Sequence, residues 1–231
     1  MLGAARTPEP APGAAQAMEF RMIRLYGFPY STNMERVQLA LGHKEIEAVY
    51  VPIPFDDRSE VRAVSGQDLV PIIDHGGTIV VDSPAILEYL EEHFPELPLY
   101  PPGHGRRAEM SVFIDWFNRV WKVPPNAIEA ELGNDNPDQV KITAWQDEMR
   151  ATLGLFENML AGRDYLMGKE FSAADCVAWP FLRYALIPPD EQDTYLFHAI
   201  LVANMSLGDD YGRLQDWIRR VADRPMAPHI S

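Results

Sequence analysis

The chain has 231 residues, of which 34 are acidic and 20 basic, for a formal charge of -14. That balance argues against a nucleic-acid-binding surface, because phosphate contacts need clustered Lys and Arg. Hydrophobic residues make up 47%, enough for a packed core and too many for global disorder, while no apolar run approaches the roughly 18–20 residues that span a bilayer. The lone cysteine, Cys176, excludes an intrachain disulfide framework, and the histidines show no ligand spacing. The expectation is a reduced, cytoplasmic protein without a metal and without a membrane or nucleic-acid partner.

Residues 1–21 are rich in Ala and Pro. Pro8, Pro10 and Pro12 interrupt any apolar stretch, where a secretory signal needs about 7–15 unbroken apolar residues; the segment reads as a disordered leader. Met22 to Tyr26 predicts a short strand and Gly27-Phe28-Pro29 a turn. STNMERVQLALG then predicts a helix capped by Ser31 or Thr32, with Thr32 and Glu35 spaced as a capping box and Met34, Val37 and Leu41 on one face. Ala48 to Ile53 is strand-like, and Arg58 to Val64 suits a short helix. Two strands, Val70 to Asp74 and Thr78 to Val81, flank His75-Gly76-Gly77, whose glycines supply the positive φ angles of a tight hairpin. Asp82-Ser83-Pro84 opens a helix whose apolar stripe is Ile86, Leu87, Leu90 and Phe94.

The proline-rich stretch 95–103 is the clearest linker, and beyond it the strand signals fade. Helices are predicted over 105–121, 137–161, 172–187 and 211–222. Mixed α/β followed by all-α implies two domains, placed at 22–95 and 105–231 with a linker at 96–104. Ser172 to Asp175 has the form of a capping box and is read as a folding element. Cys176 follows it on an apolar helix and reads as a buried small hydrophobe. Phe113, Trp116, Phe117 and Trp121 form an aromatic stripe best explained as core.

Four segments, LYGFPYSTNMERVQLAL at 25–41, LVPII at 69–73, DSPAILEYLEEHFP at 82–95 and FSAADCVAWPFL at 171–182, together resemble the glutathione transferase superfamily in order and spacing. The resemblance implies a thioredoxin-like N-terminal domain (βαβαββα, mixed sheet) and an all-helical C-terminal domain. It implies glutathione as co-substrate and aligns Ser31 with the serine of the Ser-type classes. There a hydroxyl hydrogen bond and the positive helix end favour the thiolate of a thiol whose ordinary pKa is near 8.5. Tyr30 and Tyr26 are the alternative thiol contacts. It matches Val70-Pro71 to a cis-proline that turns the Val70 backbone toward an extended peptide. It matches Asp82-Ser83 to the acidic-Ser pair that holds the γ-glutamyl end at a helix start. A homodimer and a detoxifying role are the family's usual state. The family's electrophile pocket lies against the helix of the aromatic stripe.

Two positions depart from the family pattern: Leu69 stands where Lys is common and Asp68 where Gly is common. A direct partner for the glycine carboxylate is thereby missing, and Arg58 or Arg62 are the candidates to replace it. The leading expectation is a glutathione transferase-like enzyme adding a bound thiolate to a small apolar electrophile. The alternatives are a glutathione-dependent maleyl-type cis–trans isomerase, against which Tyr30-Ser31-Thr32 departs from a Ser-Ser-Cys-like motif, and a non-catalytic binding protein on the same fold.

Overall fold

The structure is a computed structural model and describes residues 22–191 and 193–228, so the expected leader at 1–21 lies outside the described residues. The first half builds β1 (Ile23–Gly27), α1 (Thr32–His43), β2 (Ala48–Pro52), α2 (Ser59–Ser65), β3 (Ile72–His75), β4 (Thr78–Val81) and α3 (Ser83–His93). The strands form one mixed sheet in the order β2-β1-β3-β4, with β1 parallel to β2 and antiparallel to β3, and β3 antiparallel to β4. The β3–β4 hairpin turns on Gly76 and Gly77 at φ 61 and 89, as a tight primed turn requires. Asp74 accepts the Gly77 N–H at 2.8 Å and closes it.

The second half is helical: α4 (His104–Trp116), a π-helical turn over Phe117–Trp121, α5 (Val123–Leu132), α6 (Gln139–Met159), α7 (Ala173–Leu182) with a 3₁₀ turn at Arg183–Leu186, α8 (Leu196–Asn204) and α9 (Gly212–Ala222). The fold is therefore the expected mixed α/β domain followed by an all-helical one. Two helices, α5 and α8, were not anticipated. The run Val123-Pro124-Pro125 looks like a breaker, yet prolines fit the first turn, where the missing N–H has no partner to lose. LFHAILVAN is apolar on nearly all sides, and a helix without a polar face shows no amphipathic period.

One continuous core joins the two halves. Leu25 and Ile73 of the sheet, Met34, Val37 and Leu41 of α1, Phe117 of the π turn and Val177 and Phe181 of α7 are buried in the same cluster. Each fully buried aliphatic or aromatic side chain contributes about 1.5–3 kcal/mol. Helix α1 packs on α7 on one side and on α3 on the other, which is why it is enclosed almost all round. A smaller cluster, Tyr26, Ile53, Val61 and Ile72, seals the opposite face of the sheet under α2. The aromatic stripe is core: Phe113, Phe117 and Trp121 are buried, and Phe117 stacks on Trp121 at 4.4 Å.

Candidate functional site

Ser31 is the N-cap of α1. Its backbone is extended, its Oγ accepts the Met34 N–H at 3.3 Å, and it is buried. The capping box expected between Thr32 and Glu35 does not form, because Glu35 turns toward the second domain. There Arg183 donates to it through Nη2 at 2.7 Å and Nε at 3.2 Å. Burial pushes the Glu35 carboxyl up to about 7, against the lowering effect of Arg183. The Ser31 cap uses an acceptor lone pair, and the hydroxyl proton stays available to donate outward. Of the alternatives, Tyr26 is buried in the small cluster under α2, whereas Tyr30 is half-exposed and its ring lies 4.4 Å from Tyr195.

The Val70-Pro71 bond is cis. Val70 packs on the cluster containing Ile53, Val61 and Ile72. Its backbone makes no hydrogen bond among the described residues, so the edge at β3 presents a free N–H and C=O. Leu69 beside it is 76% exposed. Asp82 precedes α3 with φ 71 and ψ 124, a conformation costly for a side chain other than glycine. That kink sets Ser83 at the helix start, where it is buried.

Ser83 is held from below by Arg36, a residue that sequence reasoning did not single out. Arg36 is fully buried. It donates from Nη1 to Ser83 Oγ at 3.2 Å and to Asn118 Oδ1 at 2.8 Å, and from Nε to the Val177 carbonyl at 3.0 Å. Because Arg36 occupies an acceptor lone pair of Ser83, the Ser83 O–H is left to donate away from the guanidinium. Burial lowers the Arg36 pKa to about 9, partly offset by the charge of Asp82. The sequence carried a faint signal for this role: a charge on a helix that is otherwise apolar on several faces.

The two arginines considered as replacements for the missing lysine separate clearly. Arg62 is exposed and paired with Asp68 at 2.6 Å. Arg58 lies over the rings of Phe28 and Phe55 at 4.7 and 5.5 Å, with its Nη1 buried and unpartnered. The second domain closes over Ser31 from the other side. His198 on α8 sets Nε2 at 3.1 Å from the Tyr30 carbonyl and Nδ1 at 2.6 Å from Asp193. Cys176 is buried, and desolvation raises its thiol well above the ordinary value, so it has no nucleophilic part in this site. Among the described residues no cluster of His, Cys, Asp and Glu could hold a metal ion, and no helix is long and apolar enough to cross a membrane.

A mixed four-stranded sheet carrying a cis-proline edge, a capped helix after its first strand and an all-helical partner domain defines the two-domain class with a thioredoxin-like first half. Residues 25–98 match the glutathione S-transferase N-terminal domain and residues 126–220 the C-terminal domain. The chain is 30% identical over 172 residues to glutathione S-transferase GstB of Escherichia coli (strain K12), covering 70% of this chain and 82% of that one. It is 32% identical over 170 residues to maleylpyruvate isomerase of Ralstonia sp, covering 68% and 80%. The solved structure of FzlA from C. crescentus superposes with a TM-score of 0.70 over 88% of this chain and 89% of that one, at 23% identity, a likeness of fold. The chain belongs to the glutathione S-transferase superfamily.

Proposed function

We propose that this protein is a glutathione-dependent transferase in which Ser31 donates a hydrogen bond to the bound thiolate and the positive end of α1 lowers the thiol pKa further. Three features support this reading: the capped Ser31, the Val70 backbone unpaired among the described residues at the cis-proline edge, and Ser83 at the start of α3, whose Oγ accepts from Arg36. Val70 pairs with the extended backbone of the tripeptide, Asp82 faces its ammonium, and Ser83 takes the γ-glutamyl carboxylate at the N-terminus of α3. Arg58, whose buried Nη1 lacks a partner, is the candidate contact for the opposite carboxylate. The sulfur attacks an electrophilic carbon. Either a leaving group departs with its electron pair, or an added carbanion takes a proton from solvent. Membership of this superfamily supports a homodimer, a cytoplasmic setting and a detoxifying role. Exposed Val112 on α4 and Leu155 on α6 supply apolar surface suited to self-association.

A second reading, the maleyl-type isomerase, is favoured by the 32% identity to maleylpyruvate isomerase. There the same thiolate adds to a cis double bond and leaves again. Glutathione titration by calorimetry tests the shared step, and product analysis with an aryl chloride and with a maleyl substrate separates the two. Substituting Ser31→Ala removes one charge-assisted bond worth about 1.5–3 kcal/mol, so the bound thiol's pKa, followed by thiolate absorbance, rises by about one to two units. Turnover at neutral pH then falls about tenfold to a hundredfold. Ser83→Ala weakens binding instead. An unchanged thiol pKa in Ser31→Ala makes Ser31 a helix cap only, and a chain that does not bind glutathione is a binding protein on this fold.

A further inference from the structure

Of the cations at the seam between the domains, Arg183 is paired with Glu35, whereas two others near the starts of α1 and α3 have no carboxylate paired with them among the described residues. Arg36 is one. The other is Lys122, which immediately follows the π-helical turn and reaches across the seam. Its Nζ donates to Asn33 Oδ1 at 3.1 Å and stands 5.0 Å from the centroid of the Phe181 ring. Asn33 lies on the first turn of α1, two residues after Ser31. Among the described residues no acid lies within ion-pair distance of the Lys122 ammonium, and its other polar contact is a ring face. A π turn lies at this point of the helix. Asn118 in that turn and Lys122 just after it, four apart, both face α1, where one meets Arg36 and the other Asn33. Such turns inside α-helices gather at functional sites.

A half-buried ammonium with no carboxylate beside it carries a desolvation cost that a bound anion offsets. No acidic residue among those described is placed there, and Asp82 acts on Lys122 only through space. We infer that Lys122 is a specificity-determining residue that takes the carboxylate of an anionic electrophile, so that the second substrate is a small electrophile bearing a carboxylate, not an apolar one. The inference rests on the proposed thiol site at Ser31, since it gives Lys122 the opposite wall of that site. Burial lowers the Lys122 pKa to about 7, with Arg36 on α1 lowering it further and Asp82 ahead of α3 raising it. A bound carboxylate draws a proton onto the amine, and affinity for it falls as pH rises above 7.

The test uses an inert pair, 4-methyl-3-nitrobenzoate and 4-methyl-3-nitrobenzamide, titrated by calorimetry into the full-length chain with and without glutathione. The reactive 4-chloro analogues are assayed on the same samples. The benzoate is expected to bind at least tenfold more tightly than the amide at pH 6.5. That preference should shrink by pH 9, persist in Lys122→Arg and drop to within twofold in Lys122→Met. A wild-type preference under twofold overturns the inference, as does a tenfold preference that survives in Lys122→Met. If Lys122→Met does not fold, the wild-type ratio and its pH dependence decide alone: a ratio under twofold, or one flat with pH, overturns it. The inert pair needs no thiol chemistry. Loss of glutathione binding with the benzoate preference intact therefore removes the transferase reading and leaves the carboxylate site standing.

Discussion

At the scale of single residues, the molecule separates side chains that organise the fold from those assigned to the proposed thiol site. Asp175 belongs to the first group. It is fully buried and accepts four hydrogen bonds: from the Ser172 N–H and O–H at 2.9 and 2.8 Å, from Leu166 N–H at 2.9 Å and from the Trp217 indole at 2.8 Å. These ties fasten the start of α7 to the preceding loop and to α9, as the capping-box spacing suggested, with no solvent-facing atom left for chemistry. Asp175→Ala leaves several buried donors unmatched and is expected to cost about 3–5 kcal/mol. In a chain of this size that lowers the melting temperature by about 6–20 °C, read by circular dichroism. A shift of a degree or less would mean that the four bonds add little beyond what water offers the unfolded chain. Ser31 stands in both groups. Its acceptor side caps α1, and that cap leaves its hydroxyl proton unused.

At the scale of elements, the second domain grips α1 at its start, just before the helix and in its first turn. His198 of α8 meets the Tyr30 carbonyl, and Arg183 beyond α7 forks onto Glu35. Glu35 carries a pH signature. Its folded pKa, about 7, lies above the ordinary value of 4.5 because burial disfavours the charged form. The folded chain therefore binds a proton that the unfolded chain has released, and stability falls as pH rises from about 4.5 to 7. Glu35→Gln, which keeps the shape without the titration, is expected to flatten the fall in that window, measured by urea melts at half-unit steps. If the wild-type and Glu35→Gln profiles run parallel, Glu35 ionises freely and the Arg183 pair dominates its environment. The α1 helix itself was readable from its cap and stripe. Its two clamps were not, because His198 and Arg183 lie 168 and 148 residues from their partners.

At the scale of the whole molecule, the two halves share one core, so they are expected to unfold together. All five tryptophans lie at or beyond Trp116 and report the helical half, while far-UV dichroism reports both. The two signals should give coincident urea transitions, and a second transition seen only by dichroism would show that the sheet domain comes apart on its own. Close approach at Gly42 supports joint unfolding: a Cβ there would fall 2.1 Å from the Pro225 carbonyl oxygen, so α1 and the segment after α9 pack backbone to side chain-free backbone.

The sequence by itself determined the order of strands and helices through Tyr100, the hairpin at Gly76-Gly77, the change to helices after the linker, and the resemblance that points to Ser31, Val70-Pro71 and Asp82-Ser83. These are local signals: hydrophobic period, turn chemistry and helix-start residues act within a few positions of one another. Only the tertiary structure decided that Arg36 donates to Ser83, that Arg58 and not Arg62 is left without an acidic partner among the described residues, that α8 closes on Tyr30, and that Lys122 meets Asn33 of α1 with no carboxylate beside it among the described residues. Each of those depends on which side chains meet across the domain seam. A charge's partner, or its lack of one, is set by packing in three dimensions and leaves no periodic trace in the chain.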